Sequence, residues 1–420
     1  MTRTRSCLLT LCLSLLASSP VLARGIGGRG SARGAPVRLE TEVTPEERLQ
    51  LSYYGTAMMG YESNYNFAPR TSTIGPEGSA LMLLDLGVDL AYRPSQQTYL
   101  KGELTGMTRI PFAGAGDSDM LLELPVLLLH RLTPELELFL SSHTAFERAR
   151  SSPIGLDEAI KNAAISSEDP LIYWAIYEQL RPAVTYHLMP GAFVEAGPYF
   201  RVKQVNFDVN VGDSDYRLFD LGLDVSGKYI YKRTLAARLR YDFAYRLFNN
   251  YDARPGEYCA LNSAGECVVN PLAGTGLRMQ RHLFGLYLSS HVWGPLSLDG
   301  SYAIRLVRDN GGFLSYNEHL IGGGLTLSWA ERVTFAGAVY FQLRNYTERT
   351  NCEGAPCSGK PDDALLAEAE SALVLSGKVV VNVLEWLQAI ATYELEDASA
   401  DNEDPQAPLH RILGGAALMF

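Results

Sequence analysis

The chain has 420 residues, 47% of them hydrophobic and 20% charged, with a formal net charge of −11. That length suits two or three soluble domains or one large barrel, and the acidic balance argues against nucleic acid as a partner. Beyond the first 23 residues no stretch offers about 18 uninterrupted apolar residues, so no spanning helix is expected; the best candidate, 373–391, is broken by Lys378, Asn382 and Glu385.

The beginning of the chain reads as a secretory signal. Arg3 and Arg5 precede an apolar run from Leu8 to Leu16, and Val21-Leu22-Ala23 is a small-residue cleavage site. Cleavage is expected after Ala23, so residues 1–23 are removed. Cys7 and Cys12 lack lipobox geometry, so no lipid anchor is expected. Residues 24–49 form a Gly/Arg-rich periplasmic tether, in which Thr44-Pro45-Glu46-Glu47 reads as a short helix start with Thr44 as its cap. An exported chain without a spanning helix is periplasmic, secreted, or a barrel.

From Leu51 onward the chain alternates with a period of two, the period of a strand. Sixteen such segments are centred between residues 57 and 414. In 235–247, Leu235, Ala237, Leu239, Tyr241, Phe243, Tyr245 and Leu247 share one face, against Ala236, Arg238, Arg240, Asp242, Ala244 and Arg246. In 84–93, Leu84, Leu86, Val88, Leu90 and Tyr92 oppose Asp85, Asp89 and Arg93. In 333–344, Val333, Phe335, Val339, Phe341 and Leu343 oppose Thr334, Tyr340, Gln342 and Arg344.

The connections alternate too. Short turns lie near Pro94, Pro134, Met189-Pro190-Gly191, Lys232-Arg233, Gly294-Pro295, Glu331-Arg332 and Glu385; longer polar loops lie near 64–79, 111–119, 148–170, 207–216, 249–277, 309–316, 345–368 and 397–407. Seven short turns and eight long loops require an even strand number with both ends on the short-turn side. The expected fold is therefore all-β: a membrane-spanning, closed antiparallel barrel of about sixteen strands over 50–420, fourteen and eighteen being the alternatives. A soluble sandwich needs neither one-sided short turns nor an outer face of leucine and tyrosine. A bilayer needs both, because only a closed sheet pairs every backbone group there. Trp174, Trp293, Trp329 and Trp386 all fall at expected strand ends, as interfacial girdles require.

The last segment, Leu409 to Phe420, places Ile412, Gly414, Ala416, Leu418 and Phe420 on one parity and Arg411, Leu413, Gly415, Ala417 and Met419 on the other. It resembles the closing strand of Gram-negative outer-membrane β-barrels. The resemblance implies that the barrel-assembly machinery reads Phe420 and that the outer-membrane lipid surrounds the chain. Gly60-Tyr61-Glu62-Ser63-Asn64-Tyr65-Asn66 ends the first segment and resembles a first-hairpin motif of several outer-membrane barrel families, exporters among them.

Little points to chemistry. Cys259, Cys267, Cys352 and Cys357 form two local pairs in loop-like stretches without histidine, so two loop disulfides are expected on an oxidising export route and no metal. Ser141-Ser142-His143 and Ser289-Ser290-His291 put serine beside histidine, but neighbours on a strand point to opposite faces. Ser141 and His143 share a face, as do Ser289 and His291, with no acidic residue at strand spacing to join them. Neither an enzyme nor a cofactor is expected.

The inward parity is more informative. It places Arg201, Lys203, Arg238, Arg240, Arg246, Arg281 and Arg305 on one side and Asp85, Asp89, Glu103, Glu123 and Glu137 on the other, with Lys101 and Arg109 among the acids and Glu370, Glu394 and Glu396 beside them after closure. A basic wall facing an acidic wall resembles the constriction of general diffusion porins. That resemblance implies a third loop folded inward, here 148–170 with Asp157, Glu158, Glu168 and Asp169, and a homotrimer. The expected function is diffusion of small hydrophilic solutes. The alternative, suggested by the Gly60–Asn66 motif and the 23 tyrosines, is a barrel that exports polysaccharide or lipoprotein with partner proteins.

Overall fold

The computed structural model describes residues 49–63, 78–112, 118–150, 172–207, 216–231, 234–252, 260–261, 267–268, 275–311, 315–329, 332–347, 369–400 and 408–419. The signal segment, the tether before Leu49, the acidic residues of 151–171, Cys259, Cys352, Cys357 and Phe420 lie outside the described residues.

Nine long strands come first: β1 (Leu49–Glu62), β2 (Ser79–Tyr92), β3 (Thr98–Pro111), β4 (Asp119–Arg131), β5 (Leu136–Arg150), β6 (Ile172–Met189), β7 (Ala192–Phe207), β8 (Tyr216–Tyr231) and β9 (Leu235–Asp252). Two short ones, β10 (Ala260–Leu261) and β11 (Cys267–Val268), pair only with each other. Then come β12 (Gly276–Trp293), β13 (Leu296–Asp309), β14 (Tyr316–Trp329), β15 (Val333–Tyr346), β16 (Ala369–Leu384), β17 (Leu387–Ala400) and β18 (Leu409–Met419). The sixteen long strands form one closed antiparallel barrel in which each pairs with its successor, β9 pairs with β12, and β18 returns to β1. All sixteen expected segments are strands. The β10–β11 ribbon was not expected, because two residues are too short to display a period.

Seven connections span two to five residues and lie at the end where the chain enters; the other eight span six to twenty-three. One of the tightest turns needs special backbone. Gly191 joins β6 to β7 with φ +87°, a left-handed conformation that a side chain would strain.

Alternation sorts each strand into two faces. On the outer face Leu86 is 63% exposed, Leu221 63% and Leu239 65%, whereas on the inner face Asp220 and Ala244 are at 0% and 1%. A soluble protein does not display bare leucine on every wall; hydrocarbon outside the barrel accounts for it. Trp329 ends β14 and Trp386 sits in the β16–β17 turn, both exposed, while Trp293 ends β12 and Trp174 is the third residue of β6. Imidazoles on the outer face are capped by the preceding strand of the barrel: Tyr241 hydroxyl meets His282 Nδ1 at 3.0 Å, Tyr302 meets His319 at 2.9 Å and Tyr393 meets His410 at 3.0 Å.

The seam between first and last strands is tight. A Cβ on Gly60 would lie 1.7 Å from the Ile412 carbonyl oxygen, and one on Gly415 would lie 1.9 Å from that of Ala57. The motif beginning at Gly60 works here, since Ser63 N donates to His410 O at 2.8 Å and His410 N donates back to Ser63 Oγ at 2.9 Å.

Candidate functional site

The inner wall is the candidate site. Strand parity brings Arg201 and Lys203 inward on β7, Arg238, Arg240 and Arg246 on β9, Arg281 on β12 and Arg305 on β13. Asp85 and Asp89 face inward on β2, Glu103 on β3 and Glu123 on β4, and Glu137, Glu370, Glu394 and Glu396 share the inner face of their strands.

The arginine wall carries its own carboxylates. In the β8–β9 ladder Asp220 stands opposite Arg246 and Asp224 opposite Asp242. Asp220 is fully buried and accepts from Arg246 Nε at 2.7 Å and Arg201 Nη1 at 3.1 Å, with Arg281 Nη1 3.6 Å away. Asp224 accepts from Arg181 and Arg240, which also reach Glu195 at 2.6 Å and Asp242 at 3.1 Å. Arg238 makes only a 3.4 Å contact to Ser226 Oγ.

Two further buried acids gather guanidinium groups. Glu318 on β14 accepts from Arg305, from Arg344 Nη2 at 2.8 Å and from Gln342 Nε2 at 2.7 Å. Glu62 on β1 accepts from Arg109 Nη1 at 2.9 Å and Arg411 Nε at 2.8 Å; Arg109 also holds Asp119, and Arg411 holds Glu394 at 3.2 Å. Most of the inward arginines are thus held by buried carboxylates, because burying a guanidinium without a counter-charge is costly. Glu62, Glu195, Glu318, Arg181, Arg344 and Arg411 were missed as a set, although their strand parity was readable.

The acidic arc on β2–β4 is less compensated. Asp89 lies directly opposite Glu103, an arrangement of like charges that costs stability. Lys101 Nζ stands between them at 3.7 Å and 3.9 Å. Glu123 contacts His143 Nε2 at 3.2 Å, so an acid does join that histidine, from the neighbouring strand rather than its own.

The inner wall also has apolar ground. Near the long-loop end Val205, Leu218, Leu277, Met279 and Val307 form part of one buried cluster, each at 0% or 1% exposure. A second cluster joins Leu283, Ala303, Leu320, Tyr340 and Val374. Among the described residues no group of three or more His, Cys, Asp or Glu is placed to hold a metal ion.

A closed even-stranded sheet, short turns at one end, lipid-ready outside and charged inside, decides the class. This is a closed, sixteen-stranded antiparallel β-barrel of the membrane-spanning type. No protein-family model matches the chain, and no curated protein matches it. Among solved structures it is similar to the OmpT of Vibrio cholerae, with a TM-score of 0.40 and 11% identity over 90% of this chain and 100% of that one. It is similar to OccAB4 of Acinetobacter baumannii, with a TM-score of 0.43 and 11% identity over 90% and 100% of the two chains. For CdiB from Escherichia coli the TM-score is 0.46 and the identity 9%, over 90% of this chain and 64% of that one. At such identities and scores the likeness carries nothing about function.

Proposed function

We propose that the barrel is a channel for small hydrophilic solutes. The observation that carries this reading is the asymmetry of the inner wall. The arc on β2–β4 presents Asp85, Asp89, Glu103 and Glu123 with Lys101 and Arg109, and the arc on β6–β13 presents nine inward arginine and lysine side chains (Arg181, Arg201, Lys203, Lys228, Arg238, Arg240, Arg246, Arg281 and Arg305) that outnumber the inward Glu195, Asp220, Asp224 and Asp242. Sixteen strands enclose an aqueous lumen rather than a packed interior. Charge of opposite sign on two arcs of such a lumen projects a transverse field that sorts solutes by charge and dipole. The reading includes export on a signal cleaved after Ala23, assembly read from Phe420, and a trimer in the membrane. Purified protein reconstituted in planar bilayers should pass ions.

The apolar belt at the long-loop end favours a second reading. Five inward residues with almost no exposure indicate a lumen filled at that level. On this reading the barrel opens only with a partner, as an exporter does. Recordings that show conductance only after a periplasmic partner is added would select it.

A further inference from the structure

The acidic arc on β2–β4 has a twin in the same barrel, and the twin is full of guanidinium groups. On β2 the residues Asp85-Leu86-Gly87-Val88-Asp89 place two carboxylates inward around a glycine; on β8, Asp220-Leu221-Gly222-Leu223-Asp224 does the same. In each copy the preceding strand lays a tyrosine across the glycine. Tyr54 is opposite Gly87 and Tyr199 opposite Gly222, and a Cβ on either glycine would fall 2.1 Å and 2.2 Å from the respective ring. In each copy the following strand sets a third acid opposite the second aspartate: Glu103 opposite Asp89, and Asp242 opposite Asp224. Two residues before that acid stands a cation, Lys101 in one copy and Arg240 in the other.

Register also shows where the copies part. Asp220 is flanked by Arg201 on β7 and Arg246 on β9; the matching positions beside Asp85 are Thr56 and Met107. One strand further, Arg281 sits opposite Ala244, while Glu123 sits opposite Thr105 at the matching position. Arg201 lies over the ring of Tyr199 at 5.3 Å, the face that Tyr54 offers without such an occupant. Among the described residues Asp85 forms no ion pair, although Lys378 of β16 is close enough to act on it. Asp89 Oδ1 is shielded from water and accepts no hydrogen bond, Lys101 Nζ standing 3.7 Å away.

Among the described residues the same acceptors on the same backbone thus hold intramolecular guanidinium groups on β8 and lack them on β2. We propose that Tyr54, Asp85, Asp89 and Glu103 form a receptor on the inner wall for a guanidinium-bearing solute. One carboxylate takes the fork of a guanidinium, as Asp220 takes Nε and Nη2 of Arg246, and the tyrosine face adds cation–π attraction. The positions that Arg201 and Arg246 take in the twin are held beside Asp85 by the uncharged Thr56 and Met107. The proposal deepens the channel reading, and rests on it, by naming the solute class.

Binding is separable from conduction, so the test uses calorimetry on the full-length barrel in detergent, with L-argininamide as probe and citrullinamide, which keeps the α-amine but has an uncharged ureido side chain, as control. Saturable uptake of argininamide alone is expected. Asp85→Asn with Asp89→Asn should weaken it by about tenfold or more, the scale of losing a charge-assisted hydrogen bond. Met107→Arg, which supplies the guanidinium that the twin already has, should abolish uptake while the barrel still migrates as a folded, heat-modifiable species. If the aspartate variant does not fold, the Met107 variant decides alone. Equal uptake of the two amides, no uptake by the unaltered barrel, or unchanged uptake by Met107→Arg would overturn the receptor. Uptake by a barrel that never conducts would keep the receptor and remove the channel.

Discussion

Glu62, the last residue of the first strand, accepts a hydrogen bond from Arg411 Nε of the last strand at 2.8 Å, across a sequence separation of 349 residues. The pair closes the barrel from inside, and Arg109 on β3 joins the same carboxylate. Glu62 is fully buried, so removing it takes a shared counter-charge from two guanidinium groups. Glu62→Ala should cost about 3 kcal/mol, the lower end for breaking a buried pair, because Arg109 keeps Asp119 and Arg411 keeps Glu394. Unfolding in urea, followed by loss of the heat-modifiable band, measures it. A variant as stable as the parent would show that backbone pairing alone seals the seam.

Gly60→Ala and Gly415→Ala each force a methyl into a carbonyl of the opposing seam strand. Overpacking of this kind costs about 1–3 kcal/mol or more. Gly102→Ala is the control, since a Cβ there meets nothing within 4 Å. Less folded barrel for both seam variants and an unchanged yield for the control are expected. Three equal yields would mean that the seam adjusts freely.

Two arginines on one strand should respond differently. Arg246 donates twice to buried Asp220, whereas Arg238 has only the long contact to Ser226. Arg246→Ser should therefore lower stability by about 1.5–3 kcal/mol, the range for a hydrogen bond to a charged group. Arg238→Ser should leave stability unchanged and move ion selectivity toward cations. Denaturant midpoints and reversal potentials separate the two effects. A stability loss at Arg238 equal to that at Arg246 would contradict the assignment.

The strands were legible because lipid outside and water inside impose a period of two on every segment. The turns were legible because Pro, Gly and charged pairs mark the short ones, as at Pro190-Gly191. Partnerships were not. Asp220 and Asp224 stay on the wet face under any two-residue slip, so parity alone could not choose between Asp224 opposite Arg240 and Asp220 opposite Arg246. The ladder chooses the latter. Glu123 and His143 belong to different strands, and no spacing within either one announces their contact. The twin motifs share only Asp-Leu-Gly and a second Asp, and their meaning appears only when the flanking strands are set in register.

The central claim is an aqueous path lined by an acidic and a basic arc. Single-channel recording of the purified barrel in planar bilayers, under a salt gradient, tests it most directly. Steady unit conductance is predicted, with a reversal potential that shifts toward cation selectivity in Arg238→Ser and away from it in Asp85→Asn. A folded barrel that conducts no ions, with or without those substitutions, would contradict the claim.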